Sequence, residues 1–246
     1  MKPDFSFIIP AYQEEKLIGS ILNILNGFKN KYNYEVIVSD GGSEDNTVKI
    51  ANDLADKVTV HQADYRQTIS EGRNKGSEIA ESDHFVFINA DTRPADAKVF
   101  FEKINEWAKD QGKYQKYDAI ACYVDAFPEE RKFKDQFYYG FFNWYFALLN
   151  KIGIGMGRGE CQLVKKQAFT KLGGYDSNIV AGEDFDLFRR ISKVGKVSFA
   201  NDIVIFESPR RFRKQGYLFT IIRWFLNSVF VMFFGKSLSN EWESVR

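Results

Sequence analysis

Short apolar runs alternate with amphipathic stretches along the first half of the 246-residue chain. The apolar runs predict buried strands over residues 5–9, 34–39, 58–61, 84–89 and 118–124. The stretches between them carry apolar residues at helical spacing, and they predict helices over residues 15–28, 46–55, 69–80 and 96–108. This alternation of strand and helix is typical of an α/β fold, with a mostly parallel sheet and helices on both faces.

The second half of the chain completes this domain with a less regular pattern. Strands are predicted over residues 161–164, 197–199 and 203–206, and helices over residues 166–172 and 183–194. A run crowded with aromatic residues, from 133 to 146, lies between the two halves. This run is consistent with a surface that faces a membrane or an acceptor, and core packing is the alternative.

A glycine-rich run from Gly153 to Gly159 follows the aromatic run. No strand is predicted before it and no helix directly after it, so it does not match a phosphate-binding loop. We interpret it as a mobile loop on the acceptor side of a site. Arg158 and Glu160 are the residues there that we expect to contact acceptor groups.

The C-terminal part of the chain pairs a basic cluster with a long apolar segment. Arg210, Arg211 and Arg213 precede the segment from Tyr217 to Phe234, in which Thr220, Arg223 and Asn227 form one polar stripe of a helix. We predict a domain over 1–209 and a basic, amphipathic appendage over 210–246, which lies on a membrane with its arginines at anionic head groups. A helix that closes the domain core is the alternative.

The composition narrows the class of protein. The net charge of +1 argues against a nucleic-acid-binding protein, because such proteins depend on a strongly basic surface. Cys122 and Cys161 are too few for a disulfide scaffold, so we predict reduced core thiols. The Met-Lys-Pro-Asp start has no apolar signal segment, and we expect a cytoplasmic protein, peripheral on the inner face of the membrane.

Acidic and amide side chains follow several of the predicted strands. Glu14 follows the first, Asp40 the second, and Asn89 with Asp91 the strand over 84–89. The carboxyl ends of parallel strands meet at one edge of a sheet, so these side chains should converge on a nucleotide crevice. Oxygen ligands two residues apart, as in Asn89 and Asp91, suit a Mg or Mn ion that bridges phosphate oxygens.

Six short motifs occur along the chain in a fixed order. They are Ile9-Pro-Ala-Tyr-Gln-Glu14, Val38-Ser-Asp-Gly-Gly-Ser-Glu-Asp-Asn-Thr47, Gly72-Arg-Asn-Lys-Gly76, Ile88-Asn-Ala-Asp-Thr92, Gly173-Gly-Tyr-Asp176 and Gly182-Glu-Asp-Phe-Asp-Leu187. Any one of them is weak evidence, but the six in this order resemble the family-two glycosyltransferases of the GT-A fold. The resemblance covers about residues 5 to 195, and it implies a GT-A-like, Rossmann-type sheet.

The resemblance also implies roles for single residues. It implies that Asp184 is the catalytic base with Glu183 as its neighbour, that Asp91 with Asn89 binds the metal, and that the basic cluster approaches the donor diphosphate. Contacts with the donor nucleotide are implied for Pro10, Ala11, Tyr12, Glu14, Asp40, Arg73 and Ala90. Two positions depart from the family pattern, because Gly41 and Asn89 stand where aspartate is usual. Because Asn89 carries no charge, we expect the metal to arrive with the donor rather than to be bound tightly before it.

We therefore expect an inverting enzyme that moves one sugar from a nucleotide-diphosphate donor to a hydroxyl acceptor. A lipid-linked saccharide of the cell envelope is one candidate acceptor. A polyprenyl phosphate is the alternative acceptor, and it would need no base because it is already ionised. A non-catalytic module that binds nucleotide sugars is the alternative from a different class.

Overall fold

The computed structural model describes residues 1–237, and only the backbone of 232–234. Within this part, eight strands form one sheet in the order β3-β2-β1-β4-β7-β6-β8-β5. The strands are β1 (Phe5–Ala11), β2 (Tyr34–Asp40), β3 (Lys57–Val60), β4 (His84–Ile88), β5 (Arg93–Pro94), β6 (Ala119–Ala126), β7 (Cys161–Lys165) and β8 (Val197–Glu207). The helices are α1 (Ile18–Asn26), α2 (Thr47–Leu54), α3 (Ile69–Glu78), α4 (Ala97–Ala108), α5 (Phe133–Lys151), α6 (Lys166–Lys171), α7 (Glu183–Ser192), α8 (Arg210–Gln215) and α9 (Tyr217–Phe234).

The order and direction of the strands bring distant parts of the chain to one edge of the sheet. Strands β1, β2, β3 and β4 run parallel, so their carboxyl ends meet at this edge. Strand β7 runs antiparallel between β4 and β6, with Cys161 opposite Ile88. The residue before β7 therefore lies beside the residue after β4, and the backbone N–H of Asn89 donates to the carbonyl of Glu160 at 3.1 Å.

Buried side chains cover both faces of the sheet. One apolar cluster fills the space under α1 and α4, where Phe7, Phe100 and Trp107 are fully or almost fully buried. A second cluster lies on the other face and includes Phe87 and Phe188. Burying a side chain of this size contributes about 1.5–3 kcal/mol to stability, so these clusters hold the sheet and its edge in place.

The predicted α/β fold with a mostly parallel sheet and helices on both faces is confirmed. The two strands predicted over 197–199 and 203–206 are a single strand, β8, whose pairing with β6 shifts register between Cys122 and Tyr123. The irregularity interrupts the apolar pattern of β8, which explains why the sequence indicated two strands.

The aromatic run after residue 132 forms helix α5, which the sequence analysis did not predict as a helix. Both faces of this helix are apolar, so the spacing that separates a buried face from an exposed one does not appear in its sequence. One face of α5 packs in a third apolar cluster with parts of α7, α8 and α9. Phe212 of α8 and Val231 of α9 are 2% and 1% exposed in that cluster.

Helix α9 turns its polar stripe toward the protein. Thr220 and Asn227 are 1% and 5% exposed, whereas Leu218, Phe219 and Phe225 are more than half exposed. Protein rather than water therefore covers the polar side of α9, and the apolar side is the exposed one. None of the described helices combines the length and the apolar character that crossing a bilayer requires. Residues 238–246 of the predicted appendage lie outside the described residues.

Candidate active site

A cavity of about 560 Å³ opens at the carboxyl ends of β1 and β4, between α3, α7, α8 and α9. Most of the residues that the sequence indicated line it together. They are Pro10, Ala11, Tyr12, Glu14, Arg73, Asn89, Ala90, Asp91, Arg158, Glu160, Glu183, Asp184, Arg210 and Arg211. Asp40 and Arg213 do not line it, and their surroundings are different.

The carboxylate of Asp40 shapes the turn after β2. It is fully buried, and it accepts hydrogen bonds from the backbone N–H groups of Gly42 and Ser43 and from the Ser43 hydroxyl, at 2.9, 2.7 and 2.6 Å. Gly42 has φ +88°, a left-handed conformation that strongly favours glycine. The turn brings the neighbouring Gly41 to the cavity wall, so Gly41 rather than Asp40 faces a ligand there.

Arg73 of α3 ties together the elements around the cavity. Thr68 is the N-cap of α3 and forms a capping box with Glu71, which fixes where the helix begins. The fully buried guanidinium of Arg73 pairs with Glu183 at 2.9 Å, and it donates to the carbonyl of Gly159 at 2.6 Å and to the amide oxygen of Asn89 at 3.3 Å. Arg73 therefore holds α7, the end of β4 and the loop before β7 in one arrangement.

The first turn of α7 presents Glu183 and Asp184 to the cavity. Gly182, with φ +87°, is the N-cap of the helix, and the two acids lie in its first turn, at the positive end of the helix dipole. Burial, together with the charges of Glu183 and Glu160, raises the pKa of Asp184 to about 7, against the opposing effects of Arg73 and the Phe185 N–H. A carboxyl group with a pKa near 7 suits proton transfer at neutral pH.

A buried charged cluster lies beside Asp184. Arg158 is 2% exposed, and its guanidinium donates to Glu160 and to Glu207 at 3.2 Å each. Burial and the charge of Glu160 raise the pKa of Glu207 well above its usual value. Burial opposes ionisation of Glu160, but the Arg158 charge and hydrogen bonds hold its pKa below the usual value. The opposite directions of the two pKa shifts favour a proton on Glu207 rather than on Glu160.

Glu207 is a cavity residue that the sequence analysis missed. It ends β8, and the only signal for it was its position directly after the predicted strand 203–206. Arg158 lies differently from our expectation for a mobile loop, because it is buried over the rings of Tyr139 and Phe146. Glu160 and Glu207, beside Arg158, contribute carboxyl oxygen atoms to this part of the cavity wall.

Asp91 and Asn89 differ in how well each could bind a cation. The Asp91 carboxylate pairs with Arg210 at 3.4 Å, and both side chains are more than one third exposed in the cavity. The amide oxygen of Asn89 already accepts a hydrogen bond from Arg73. Among the described residues, no group of three or more His, Cys, Asp or Glu side chains is placed to hold a metal ion. The donor set therefore fits one carboxylate ligand, Asp91, for a cation whose other ligands come from a diphosphate.

The three arginines of α8 point in two directions. Arg210 and Arg211 line the cavity, and burial lowers the pKa of the Arg211 guanidinium. Arg213 instead pairs at 2.5 Å with Asp135, a fully buried residue of α5 that also accepts a hydrogen bond from Tyr217. Arg213 thus fastens α8 to α5, whereas Arg210 and Arg211 lie at the cavity wall.

Helices α5 and α9 also contribute cavity residues that the sequence did not indicate as site residues. Phe146 of α5 and Trp224, Asn227 and Ser228 of α9 line the cavity. Asn227 belongs to the inward polar stripe of α9, so this stripe contributes to the cavity wall. The cavity combines acidic, basic and apolar walls, which suits a ligand with a charged end and an apolar or sugar-like end.

Comparison of the sequence with known proteins gives one family and several relatives. Residues 6–173 match the profile of Glycosyl transferase family 2. The "Dolichyl N-acetyl-alpha-D-glucosaminyl phosphate 3-beta-D-2,3-diacetamido-2,3-dideoxy-beta-D-glucuronosyltransferase" of Methanococcus voltae is 22% identical over 237 residues, 85% of this chain and 70% of that protein. The "Chondroitin synthase" of Escherichia coli is 32% identical over 92 residues, 36% of this chain and only 13% of that protein.

Solved structures give the same fold. The mannosyltransferase PcManGT of Pyrobaculum calidifontis, solved in complex with GDP-Man and Mn²⁺, superposes with a TM-score of 0.65 at 21% identity. The superposition covers 88% of this chain and 59% of that structure. This likeness establishes the GT-A architecture of the sheet and helices.

Proposed function

Because the chain belongs to glycosyl transferase family 2, we propose that it transfers one sugar from a nucleotide-diphosphate donor to an acceptor hydroxyl, with inversion at the anomeric carbon. The observation that carries this proposal is the position of Asp184. Its carboxyl, with a pKa raised to about 7, lies in the same cavity as Asp91, Arg210 and Arg211. A base and a diphosphate-binding wall in one cavity are what a direct displacement needs.

The donor side of the proposed site consists of the β1 end, α8 and Asp91. Tyr12 and Gly41 line the wall where the nucleoside would lie, and Arg66 stands 5.1 Å from the Tyr12 ring. Arg210 and Arg211 would neutralise the charge that develops on the departing diphosphate, an electrostatic effect that is usually large in such reactions. A Mg or Mn ion held by Asp91 and the diphosphate would add to this neutralisation.

The acceptor side of the proposed site contains the catalytic base. Asp184 would accept the proton of the attacking hydroxyl, a step that contributes roughly 10²–10⁴-fold to the rate. Glu183 would position Asp184 through its ion pair with Arg73. Glu160 and Glu207 would accept hydrogen bonds from acceptor hydroxyl groups. The acceptor hydroxyl would approach the anomeric carbon from the face opposite the diphosphate, which inverts its configuration.

We propose that the acceptor is lipid-linked and that the enzyme works at the cytoplasmic face of a membrane, in cell-envelope glycan synthesis. The name of the Methanococcus voltae relative, which describes a dolichyl-linked acceptor, supports this choice. The apolar walls formed by Phe146 and Trp224 also suit the lipid end of such an acceptor. A polyprenyl phosphate is the second candidate acceptor, favoured by the two cavity arginines, Arg210 and Arg211.

The substitution Asp184→Asn tests the proposal. We expect donor binding to stay within about twofold, because the exchange keeps the shape of the side chain, and transfer to a hydroxyl acceptor to fall at least 10²-fold. Binding is followed by calorimetry and transfer by release of nucleoside diphosphate. The matched control is Asp53→Asn, an exposed residue of α2.

The other outcomes separate the alternatives. Full turnover by Asp184→Asn with a polyprenyl phosphate would support the phosphate acceptor, because that acceptor needs no base. Full turnover with a hydroxyl acceptor would refute the role of Asp184. Tight donor binding by the wild-type protein, with no release of nucleoside diphosphate under any acceptor, would support the non-catalytic module.

A further inference from the structure

Two helices leave large apolar side chains in water. On α5, Phe133, Phe137, Phe141, Trp144 and Leu148 follow at intervals of three or four residues, and each is 38–73% exposed. On α9, the corresponding residues are Leu218, Phe219, Ile222, Phe225, Leu226 and Phe230, each 37–71% exposed. We name these two sets the α5 ridge and the α9 ridge. Single exposed apolar residues are normal on a protein surface, but a row along a helix indicates a binding surface.

The two helices pack against each other by their inner faces. The rings of Tyr138 and Phe142 on α5 lie 6.4 and 5.4 Å from the Trp224 ring on α9. Phe146 and Trp224, on the inner side of the same helices, line the cavity. The ridges are therefore the outer side of two helices whose inner side forms a wall of the proposed site.

The exposed charges within the α5 and α8–α9 segments and at their ends have one sign. Between residues 133 and 152 the only acidic residue is Asp135, which is buried and paired with Arg213. Between residues 210 and 237 the sequence has no acidic residue. Exposed lysines stand at the helix ends, at Lys132 and Lys134, Lys151, Lys214 and Lys236. Exposed aromatic rows with basic ends and no exposed acid match a surface of apolar chains beneath anionic head groups.

We propose that the α5 and α9 ridges bind the surface of a lipid bilayer that contains anionic lipid, with their aromatic side chains inserted at the head-group level. The proposal deepens the proposed function, since it states how the enzyme reaches a lipid-linked acceptor, and it rests on that function only for this purpose. It also replaces the sequence-based expectation that the arginines of α8 contact the head groups, because those arginines face the cavity or pair with Asp135. A second copy of the chain is a poorer occupant, because a two-fold contact would bring like-charged lysine ends together.

Vesicle flotation tests the proposal with two double variants. Phe219→Ser with Phe225→Ser removes the centre of the α9 ridge, and Phe137→Ser with Trp144→Ser removes that of the α5 ridge. The matched control, Ile79→Ser with Val194→Ser, changes two residues that are 38% and 48% exposed elsewhere. With vesicles of phosphatidylcholine and phosphatidylglycerol, we expect each ridge variant to bind at least tenfold more weakly and the control to bind like wild type. Pure phosphatidylcholine should bind the wild-type protein several-fold more weakly than the mixture.

A measurement on the wild-type fold keeps the test independent of variant stability. Trp144 is 61% exposed on the α5 ridge, so vesicles with brominated acyl chains should quench part of the tryptophan emission, and Trp144→Phe should lose that part. Ridge variants that float like wild type, or an absence of quenching, would overturn the proposal. Self-association in sedimentation velocity that the ridge variants abolish, without vesicle binding, would instead assign the ridges to a dimer.

Release of nucleoside diphosphate in the same preparations separates the two proposals. Neither ridge belongs to the cavity wall, so we expect the ridge variants to release nucleoside diphosphate from a soluble donor with a water-soluble acceptor at the wild-type rate. Vesicle binding without donor turnover would refute the proposed function and leave the lipid surface standing. Turnover without vesicle binding would refute the lipid surface alone.

Discussion

Single residues in the cavity have surroundings that set their protonation and their positions. Asp184 has a raised pKa because it is buried near Glu183 and Glu160, and Arg73 limits that rise. Burial and the charge of Glu160 likewise raise the pKa of Glu207. The sequence located Asp184 correctly at the start of a helix, but its pKa depends on residues up to 111 positions away, such as Arg73, which only the fold brings near.

The first prediction concerns the pH dependence of transfer. A general base acts in its ionised form, so turnover with a hydroxyl acceptor should rise with pH, with a midpoint near the pKa of about 7 of Asp184. The profile of kcat/KM between pH 5 and 9 measures this. A rate that is flat across that range would show that no group with this pKa takes part in the step.

The second prediction concerns Arg73. Arg73→Met should lower the free energy of unfolding by about 3–5 kcal/mol, because it leaves Glu183 buried without a partner. It should also move the midpoint of the pH profile upward, because the Arg73 charge lowers the pKa of Asp184. Urea titration and the kcat/KM profile give the two readouts.

Arg93→Met is the matched control for Arg73. Arg93 pairs with Glu129 at 2.8 Å, but both side chains are more than one third exposed, and such surface pairs contribute about 0–1 kcal/mol. The control should therefore change stability by no more than about 1 kcal/mol and leave the pH profile in place. Equal effects of the two substitutions would contradict the clamping role of Arg73.

At the scale of elements, the sequence predicted most of the strands and helices and the edge at which the site lies. The motif after β2 indicated a nucleotide contact by Asp40. In the structure the carboxylate of Asp40 instead accepts hydrogen bonds within the turn, and the local sequence does not reveal these bonds. Helix α5 was missed because both of its faces are apolar. One face packs in the core and the other is exposed, so no polar face marks the helix in the sequence. Glu207 was missed because strand pairing, rather than its neighbours in the chain, brings it to Arg158.

The third prediction compares two helical glycines. A Cβ at Gly76 of α3 would stand 2.5 Å from the Ile8 side chain of β1, so Gly76→Ala should cost about 1–3 kcal/mol of stability by overpacking. A Cβ at Gly140 of α5 would meet nothing within 4 Å. Gly140→Ala should therefore stabilise the protein by about 0.5–1 kcal/mol, because alanine favours the helix.

Chemical denaturation of both variants measures the difference between the two glycines. The pair controls for the exchange itself, since the same methyl group is added to a helix in each case. A Gly76→Ala protein as stable as Gly140→Ala would mean that α3 does not need its close approach to β1. Because Arg73 is carried on α3, donor binding should weaken together with stability in Gly76→Ala.

At the scale of the whole molecule, one sheet supports a cavity assembled from both halves of the chain. Residues at the ends of β1 and β4 line one part of the cavity, and residues of α7, α8 and α9 line the rest. For the first half of the chain, the predicted parallel strands indicated that the site residues would lie together at one edge of the sheet. The sequence did not predict that α9 would line the cavity, because the polar stripe of Thr220 and Asn227 is equally compatible with water or a buried wall.

The fourth prediction concerns ligand binding to the complete protein. A nucleoside diphosphate with Mn²⁺ at about 100 times its dissociation constant should stabilise the fold by about 2.7 kcal/mol, which corresponds to a rise in Tm of roughly 5–10 °C. Asp91→Asn should remove most of the part that depends on Mn²⁺. Thermal unfolding with and without Mn²⁺ measures this, with Asp53→Asn as the control. If the Mn²⁺-dependent rise in Tm is the same in Asp91→Asn as in the wild-type protein, Asp91 is not the metal ligand.

The contacts of Arg73 have a consequence for the order in which the protein matures in the cell. Its three partners lie 16, 86 and 110 residues further along the chain. A nascent polypeptide that has emerged only through β4 can form the nucleotide-side strands, but it has no counter-charge for this arginine. Ribosome-bound chains stalled before Glu183 should therefore fail to retain a nucleotide, and competence should arise only when α7 and α8 leave the exit tunnel.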